Sequence, residues 1–327
     1  MTHYIGCDLG GTNIKAGIVN LESGSVFLAK SLPTLSIEGH DAVMDRMVDL
    51  VTSLITESGL AQSDILGLGV SAPGVIDPIN GTTIFLPNLV GQWRNVPLRN
   101  TLSNALKLPV TLLNDVRAIT YGEYIYGAGK GTSRMACFAI GTGVGGGLVL
   151  NGDLVLGFQG SAGELGHLTI EVNGLRCNCG NYGCLEAYAS GPAISSRAEK
   201  VVRQGFTTRI ADLVNNDLNK ITPEIVALAA NEGDEIALEI WNSVGHYLGT
   251  GIANICVAFG PERVILAGGV ASAGDLLLTP IKKTLEERVF VMPIDKVEVV
   301  LGALGNDAGI LGMASWAASE QSYLITD

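Results

Sequence analysis

Tyr4-Ile-Gly-Cys-Asp8-Leu-Gly-Gly-Thr12-Asn-Ile-Lys-Ala-Gly-Ile-Val19 sets a Gly/Thr-rich turn between two apolar runs, and so reads as strand, glycine turn, strand. The pattern starts again at Met135-Ala-Cys-Phe-Ala-Ile-Gly141-Thr-Gly143-Val-Gly-Gly-Gly-Leu-Val-Leu150. Apolar runs flank a Gly/Thr turn in both stretches, although the glycines differ in detail. Two such openings far apart indicate an internal duplication of one architecture, not a short-period solenoid. Strands alternate with helices after each opening, which predicts two α/β domains facing each other across a cleft.

Working outward from the first opening, residues 25–31 read as a third strand. Asp41 is placed to cap a helix whose apolar face is Val43, Met44, Met47, Val48, Val51, Leu54 and Ile55, with Gly59 as its stop. Ile65–Val70 is a buried strand that ends in the loop 72–78, and Leu86-Pro-Asn88-Leu is a second loop. Residues 98–106 have helical spacing, 110–113 form a strand, and Asn114-Asp115 opens a helix over 116–126. The second half reads as helices near 192–204 and 222–231 and over 234–258. A strand at 263–269, a helix at 274–288, a strand at 297–301 and a last helix at 306–318 follow.

At 327 residues the chain is long for one core, and two domains are expected. With 47% apolar and 16% charged residues it is globular. The 43 glycines, nearly twice the ordinary share, fit Gly-rich loops between strands, since no Gly/Ser tract appears. A net charge of −12 argues against a nucleic-acid surface, which needs a basic patch. No secretory signal is read at the N-terminus. Residues 135–152 carry no charge, but their six glycines mark a strand pair and not a membrane span. Cys7, Cys137 and Cys256 stand alone in apolar runs and read as small buried hydrophobes. The usage as a whole fits a reducing cytoplasm.

The other three cysteines follow a histidine in Glu164-Leu-Gly-His167 and Cys177-Asn-Cys179-Gly-Asn-Tyr-Gly-Cys184-Leu-Glu186. This spacing matches a Cys3His zinc set better than a disulfide pair. A structural zinc has no use for the two glutamates, which beside an imidazole suit the vicinal hydroxyls of a polyol. The alternative is a solvated surface pair. Asp8-Leu-Gly10-Gly11-Thr12 reads either as a phosphate cradle, with Asp8 holding Mg2+ through water, or as a tight hairpin with a capping Asp. Gly141-Thr142-Gly143 repeats the device, and two facing turns make a phosphate clamp. Neither is a Walker A loop or a dinucleotide fingerprint, because a strand and not a helix follows. Gly268-Gly269 reads as a surface for a nucleoside or as a plain strand-end turn. Asn114-Asp115 lies at a strand's C-terminal end, where function concentrates in open α/β sheets, and is equally a good helix cap. Next to phosphate turns, a carboxylate there suits a kinase base.

Taken together, Asp8-x-Gly-Gly-Thr12, Asn114-Asp115, Gly141-Thr-Gly143, Glu164-x-Gly-His167 and Cys177-x-Cys-Gly-x-x-Gly-Cys-x-Glu186 resemble the repressor, open reading frame and kinase (ROK) family across essentially the whole chain. The pattern is most similar to bacterial ROK glucokinases. The resemblance implies the actin/hexokinase-like (ribonuclease H-like) two-domain fold, with a duplicated α/β core and an inserted zinc-binding loop. A smaller N-terminal domain is expected over 1–114, joined by the C-terminal helix 306–327. A larger domain is expected over 115–305, with the zinc motif at 167–184. It further implies transfer of the γ-phosphoryl group of ATP to the 6-hydroxyl of D-glucose, with Asp115 as general base. Gly74, Asn88, Asn114, Asp115, Glu164, His167 and Glu186 would bind the sugar. Asp8, Gly10, Gly11, Thr12, Lys15, Gly141, Thr142, Gly143, Gly268 and Gly269 would line the nucleotide and Mg2+ site. His167, Cys177, Cys179 and Cys184 would hold structural Zn2+. A cytoplasmic glycolytic homo-oligomer, dimer or tetramer, without nucleic-acid or membrane partners is implied. ROK repressors carry a helix-turn-helix ahead of this core, for which a first strand at residue 3 leaves no room. The alternatives are a kinase for N-acetylmannosamine, N-acetylglucosamine, mannose or fructose, polyphosphate as donor, and a sugar-sensing protein without catalysis.

Overall fold

The computed structural model describes residues 2–319. In chain order the elements begin β1 (His3–Leu9), β2 (Asn13–Asn20), β3 (Ser25–Pro33), α1 (His40–Ser58), β4 (Ile65–Ala72), β5 (Val75–Asp77) and β6 (Thr82–Phe85). There follow α2 (Leu98–Leu106), β7 (Val110–Asn114), α3 (Asp115–Ile125), β8 (Arg134–Ile140), β9 (Val144–Leu150) and β10 (Asp153–Leu154). The rest is α4 (Glu186–Ala189), α5 (Gly191–Arg203), α6 (Arg209–Leu213), α7 (Pro223–Asn231), α8 (Glu235–Phe259), β11 (Arg263–Ala267), α9 (Asp275–Arg288), β12 (Glu298–Leu301) and α10 (Ala308–Ala318).

The duplication read from the two openings is visible in strand order. One sheet runs β3-β2-β1-β4-β7 and the other β10-β9-β8-β11-β12, the same series position for position. In the first, β2 lies antiparallel to both β1 and β3, while β4 is parallel to both β1 and β7. In the second, β10 is antiparallel to β9 and β11 is parallel to both β8 and β12. Residues 135–152, uncharged but Gly-punctuated, are β8, the glycine turn and β9, as the glycines require. Among the described residues no helix is long and apolar enough to cross a membrane.

The chain divides into two compact units. Unit 1 runs from the first described residues to Gly131 and takes in Leu148–Gly163 and the described chain from Ala303 on; unit 2 is Thr132–Gly147 and Glu164–Gly302. The expected boundary at 114/115 therefore lies at 131/132, and 148–163 also falls in unit 1. Packing of α3 on α10 is the reason. A Cβ on Gly312 would stand 1.8 Å from the Ala118 carbonyl oxygen, so the two helices meet backbone to backbone. The returning helix α10 also lies directly on the sheet, because a Cβ on Gly6 would come within 2.0 Å of the Ile310 carbonyl oxygen. Of the expected terminal helix, residues 320–327 lie outside the described residues.

Alternation along β1 sorts its two faces. Ile5, Cys7 and Leu9 join the core beneath α1 and α2, while Tyr4 packs with Ile310, Leu311, Ala314 and Ala317 of α10. Asp8 falls on the α10 face, beside the start of that helix. Helix α1 opens at His40 after Gly39, with no side-chain cap. Asp41 therefore sits inside the first turn, where its charge favours the positive helix end, and is not the cap. Gly59, at φ 71°, ends the helix as expected. A short β-like run before Leu86 is β6, whereas β5 and the short α4 and α6 carry too little periodicity to be read from the sequence. Cys7, Cys137 and Cys256 are buried, as small hydrophobes should be.

One buried acid, Glu123 on α3, ties together the segments through which the chain leaves unit 1 and returns to it. At 1% exposure, its carboxylate accepts the N–H groups of Ala128 (2.8 Å), Ala303 (3.0 Å) and Leu304 (2.9 Å). Glu123→Ala strands three backbone donors and is expected to cost about 3 kcal/mol of stability, read as a lower denaturant midpoint. A midpoint equal to that of the wild type would remove this structural role.

Candidate functional site

In unit 1 the register of the parallel strands gathers the candidate residues. Asp8 of β1 pairs with Ser71 of β4, and Ala72 pairs with Asn114 of β7, so the C-terminal strand ends form one row leading into Asp115. Ser71 Oγ donates to Asp8 Oδ1 at 2.6 Å. Burial pushes the Asp8 carboxyl above the usual carboxylate range, against the pull of the Ser71 hydrogen bond and of Lys15, its cross-strand partner. The Gly10–Thr12 turn is closed by Gly10 N–H on the Asn13 carbonyl at 2.9 Å and held by Thr34, whose N–H donates to the Thr12 carbonyl at 2.8 Å. Gly11 and Thr12 are exposed, with the Asn88 carbonyl oxygen 3.1 Å from where a Gly11 Cβ would stand.

Asn114 is the N-cap of α3: its Oδ1 accepts the N–H groups of Val116 (3.0 Å) and Arg117 (3.3 Å). Its Nδ2 donates to the Gly74 carbonyl at 3.0 Å. Gly74 sits at φ 119°, and a Cβ there would stand 2.5 Å from the Phe85 carbonyl oxygen. Only glycine fits that bend. Gly74 and Asn114 thus form the frame around Asp115, which is half-buried at the first position of α3 and whose Oδ1 accepts the Val116 N–H at 2.8 Å.

In unit 2 the second glycine turn is closed by Gly141 N–H on the Gly143 carbonyl at 2.9 Å. Gly191 N–H donates to the Gly141 carbonyl at 2.8 Å. Gly268 adjoins this turn: at φ 87°, its missing Cβ would lie 2.4 Å from the Ile140 carbonyl oxygen. Thr142, Gly268 and Gly269 are exposed. Glu186, in the first turn of α4, places Oε2 3.0 Å from the Val144 nitrogen and Oε1 3.6 Å from Cys177 Sγ. The sequence offered no sign of the first of these contacts. Glu164 is exposed, and its carbonyl accepts the His167 N–H at 3.0 Å.

His167, Cys177, Cys179 and Cys184 each offer one ligand atom, all within 4.8 Å of one another. Sulfurs about 2.3 Å from a tetrahedral centre stand about 3.8 Å apart. Cys179 Sγ and Cys184 Sγ are 3.7 Å apart, and Cys177 Sγ is 3.8 Å from His167 Nδ1. The donor set fits a zinc ion. Burial holds the Cys177 and Cys184 thiols above the ordinary thiol range, while Cys179, receiving backbone and side-chain hydrogen bonds, lies below it.

The family model for the ROK family matches residues 4–320. The chain belongs to the ROK family. Among its ROK relatives is the glucokinase of Halalkalibacterium halodurans, 36% identical over 97% of this chain and 95% of that protein. The xylose repressor of Caldicellulosiruptor bescii is 31% identical over 97% of this chain and 78% of the repressor. In three dimensions the chain is similar to a ROK glucokinase from Streptomyces griseus crystallised with glucose and AMPPNP. The TM-score is 0.83 at 31% identity, covering 97% of this chain and 99% of that one. The chain accordingly has the ROK actin/hexokinase-like α/β fold with mixed sheets.

Within this ROK chain, two residues that sequence reasoning missed hold the site's framework. Ser71, the donor to Asp8, was signalled only by a polar residue closing an apolar run. Arg117 is 4% exposed and donates through Nε to the Ala162 carbonyl at 2.8 Å, just before Glu164. An arginine inside a short helix ordinarily reads as surface, so no local signal marks it.

Proposed function

We propose that this ROK protein is an ATP-dependent glucokinase. The observation that carries the reading is near-full-length similarity to glucokinases, one of them crystallised with glucose and an ATP analogue. Asp115 is the general base, accepting the proton of the sugar 6-hydroxyl as the γ-phosphoryl group arrives. Its place at the C-terminal end of β7 supports this role. Asn114 has spent its oxygen on the helix and one amide hydrogen on Gly74, so one N–H remains to donate to a sugar oxygen. Glu164, His167 and Glu186 accept from or donate to the other hydroxyls and set the orientation of the ring, with Gly74 and Asn88 as minor contributors.

The two glycine turns, with Lys15 and Gly268-Gly269, form the nucleotide set. Asp8 is the carboxylate placed to hold Mg2+, which when bound neutralises charge on the β- and γ-phosphates. His167 and the three cysteines would hold zinc, which supplies structure and no chemistry. Three cysteines gathered with a histidine and three buried singly in apolar surroundings support a reducing, cytoplasmic setting; a glycolytic homo-oligomer is proposed with it, whose mass light scattering would measure.

A coupled ADP-release assay across glucose, mannose, fructose, N-acetylglucosamine and N-acetylmannosamine, with ATP and with polyphosphate, tests the reading. Glucose with ATP is expected to give the highest kcat/KM. A large preference for another sugar or donor would replace glucose or ATP while leaving the kinase. The second reading, a sugar sensor without catalysis, is favoured by the similarity to the xylose repressor. Sugar binding with no turnover under either donor would establish it.

A further inference from the structure

Gly143 lacks a reason to be glycine in its backbone, since it is not among the glycines with positive φ. The reason lies in a side chain. A Cβ on Gly143 would stand 2.4 Å from Glu186 Oε2, the same oxygen that lies 3.0 Å from the Val144 nitrogen. The carboxylate thus packs directly on the second glycine turn and accepts the N–H of Val144, the residue that follows it. Gly141, at the other end of the turn, has nothing within 4 Å of its Cβ position.

We infer that Glu186 couples sugar binding to the nucleotide turn, acting both as a sugar ligand and as the positioning residue that braces Gly141–Gly143 through the Val144 amide. This rests on the reading of Glu186 as a sugar ligand given above. One carboxylate cannot take two positions, so the orientation that braces the turn is the orientation offered to the sugar. Any energy gained by fixing it is shared by both ligands, and the coupling is reciprocal. A methyl group at Gly143 displaces only the end of a flexible side chain, so the fold survives while Glu186 is turned away. The same methyl at Gly141 leaves Glu186 untouched.

The test is calorimetric titration of glucose, without nucleotide, into the wild type, Gly141→Ala and Gly143→Ala. Gly143→Ala is expected to weaken glucose binding about 10- to 100-fold, as for lost hydrogen bonds to a carboxylate, and Gly141→Ala to leave it unchanged. Wild-type affinity in Gly143→Ala, or an equal loss in Gly141→Ala, overturns the coupling. A wild type that bound no glucose would instead overturn the sugar reading on which it stands. A second arm titrates AMPPNP without sugar into Glu186→Gln and Glu186→Ala. The amide oxygen of glutamine can still accept the Val144 N–H, so Glu186→Gln should bind AMPPNP like the wild type and Glu186→Ala several-fold more weakly. Equal affinities in the two variants overturn the bracing role even where Gly143→Ala fails to fold.

Discussion

Asp115→Ala is expected to lower turnover by roughly 10²–10⁴-fold, the usual worth of a general base, while glucose still binds with nearly wild-type affinity. The separation follows from where Asp115 sits. Asn114, not Asp115, caps α3 and meets the Gly74 loop, so the helix start and the loop stay in place when Asp115 is truncated. Alanine is also well tolerated at a first helical position. Steady-state kcat together with calorimetric glucose affinity checks this. A loss of only a few-fold in kcat would remove Asp115 from the role of base. A parallel loss of glucose affinity would make it a sugar ligand before anything else.

Loss of the metal set is expected to have the second large effect, with binding failing before chemistry. Elemental analysis should find one zinc per chain, and Cys179→Ser or chelation should lower both the thermal midpoint and glucose affinity, the latter by about tenfold or more. Between 169 and 184 the loop has no helix or long strand, and is held by the bridges Thr169–Cys184 and Arg176–Tyr182 and by bonds such as Cys177 N–H on the Asn181 carbonyl at 2.8 Å and Gly183 N–H on the Leu175 carbonyl at 2.7 Å. A shared ion would join His167 to the three cysteines and add to these bonds. Glu186 follows Cys184 by two residues, Leu185 N–H donates to the Leu168 carbonyl at 2.9 Å, and Glu164 is tied to His167. Disorder in the loop would reach both glutamates. Metal affinity should also fall as pH falls. Each thiol must lose its proton to bind, and burial makes Cys177 and Cys184 hold theirs more tightly. Unchanged glucose affinity in Cys179→Ser would sever the link between metal loop and sugar.

Much of this was legible because it is local. Turn chemistry and apolar period marked β1–β2, β8–β9, α2 and α8 within a residue or two. The gathering of His167 with the three cysteines was legible because four such ligands at short spacing have few other uses. The Asp41 cap was misread because a helix start depends on where the preceding chain comes from, here a glycine at φ 91°. The unit boundary at 131/132 was misread because α3 is held by α10, nearly two hundred residues later.

By itself the sequence determined the duplicated α/β architecture, the ROK membership and the roster of chemical groups, since each depends on residue type at short range. Tertiary structure alone decided how those groups are committed. The Asn114 amide is divided between helix and loop, Ser71 stands on Asp8, and Glu186 reaches across more than forty residues to the Val144 amide. Hydrogen bonds of that kind are set by which strand ends and loops the fold brings within about 3 Å, and no local pattern encodes that distance. The opening turn of the duplicated half is the clearest case. At its last glycine, Gly143, the Glu186 carboxylate fills the space a side chain would occupy.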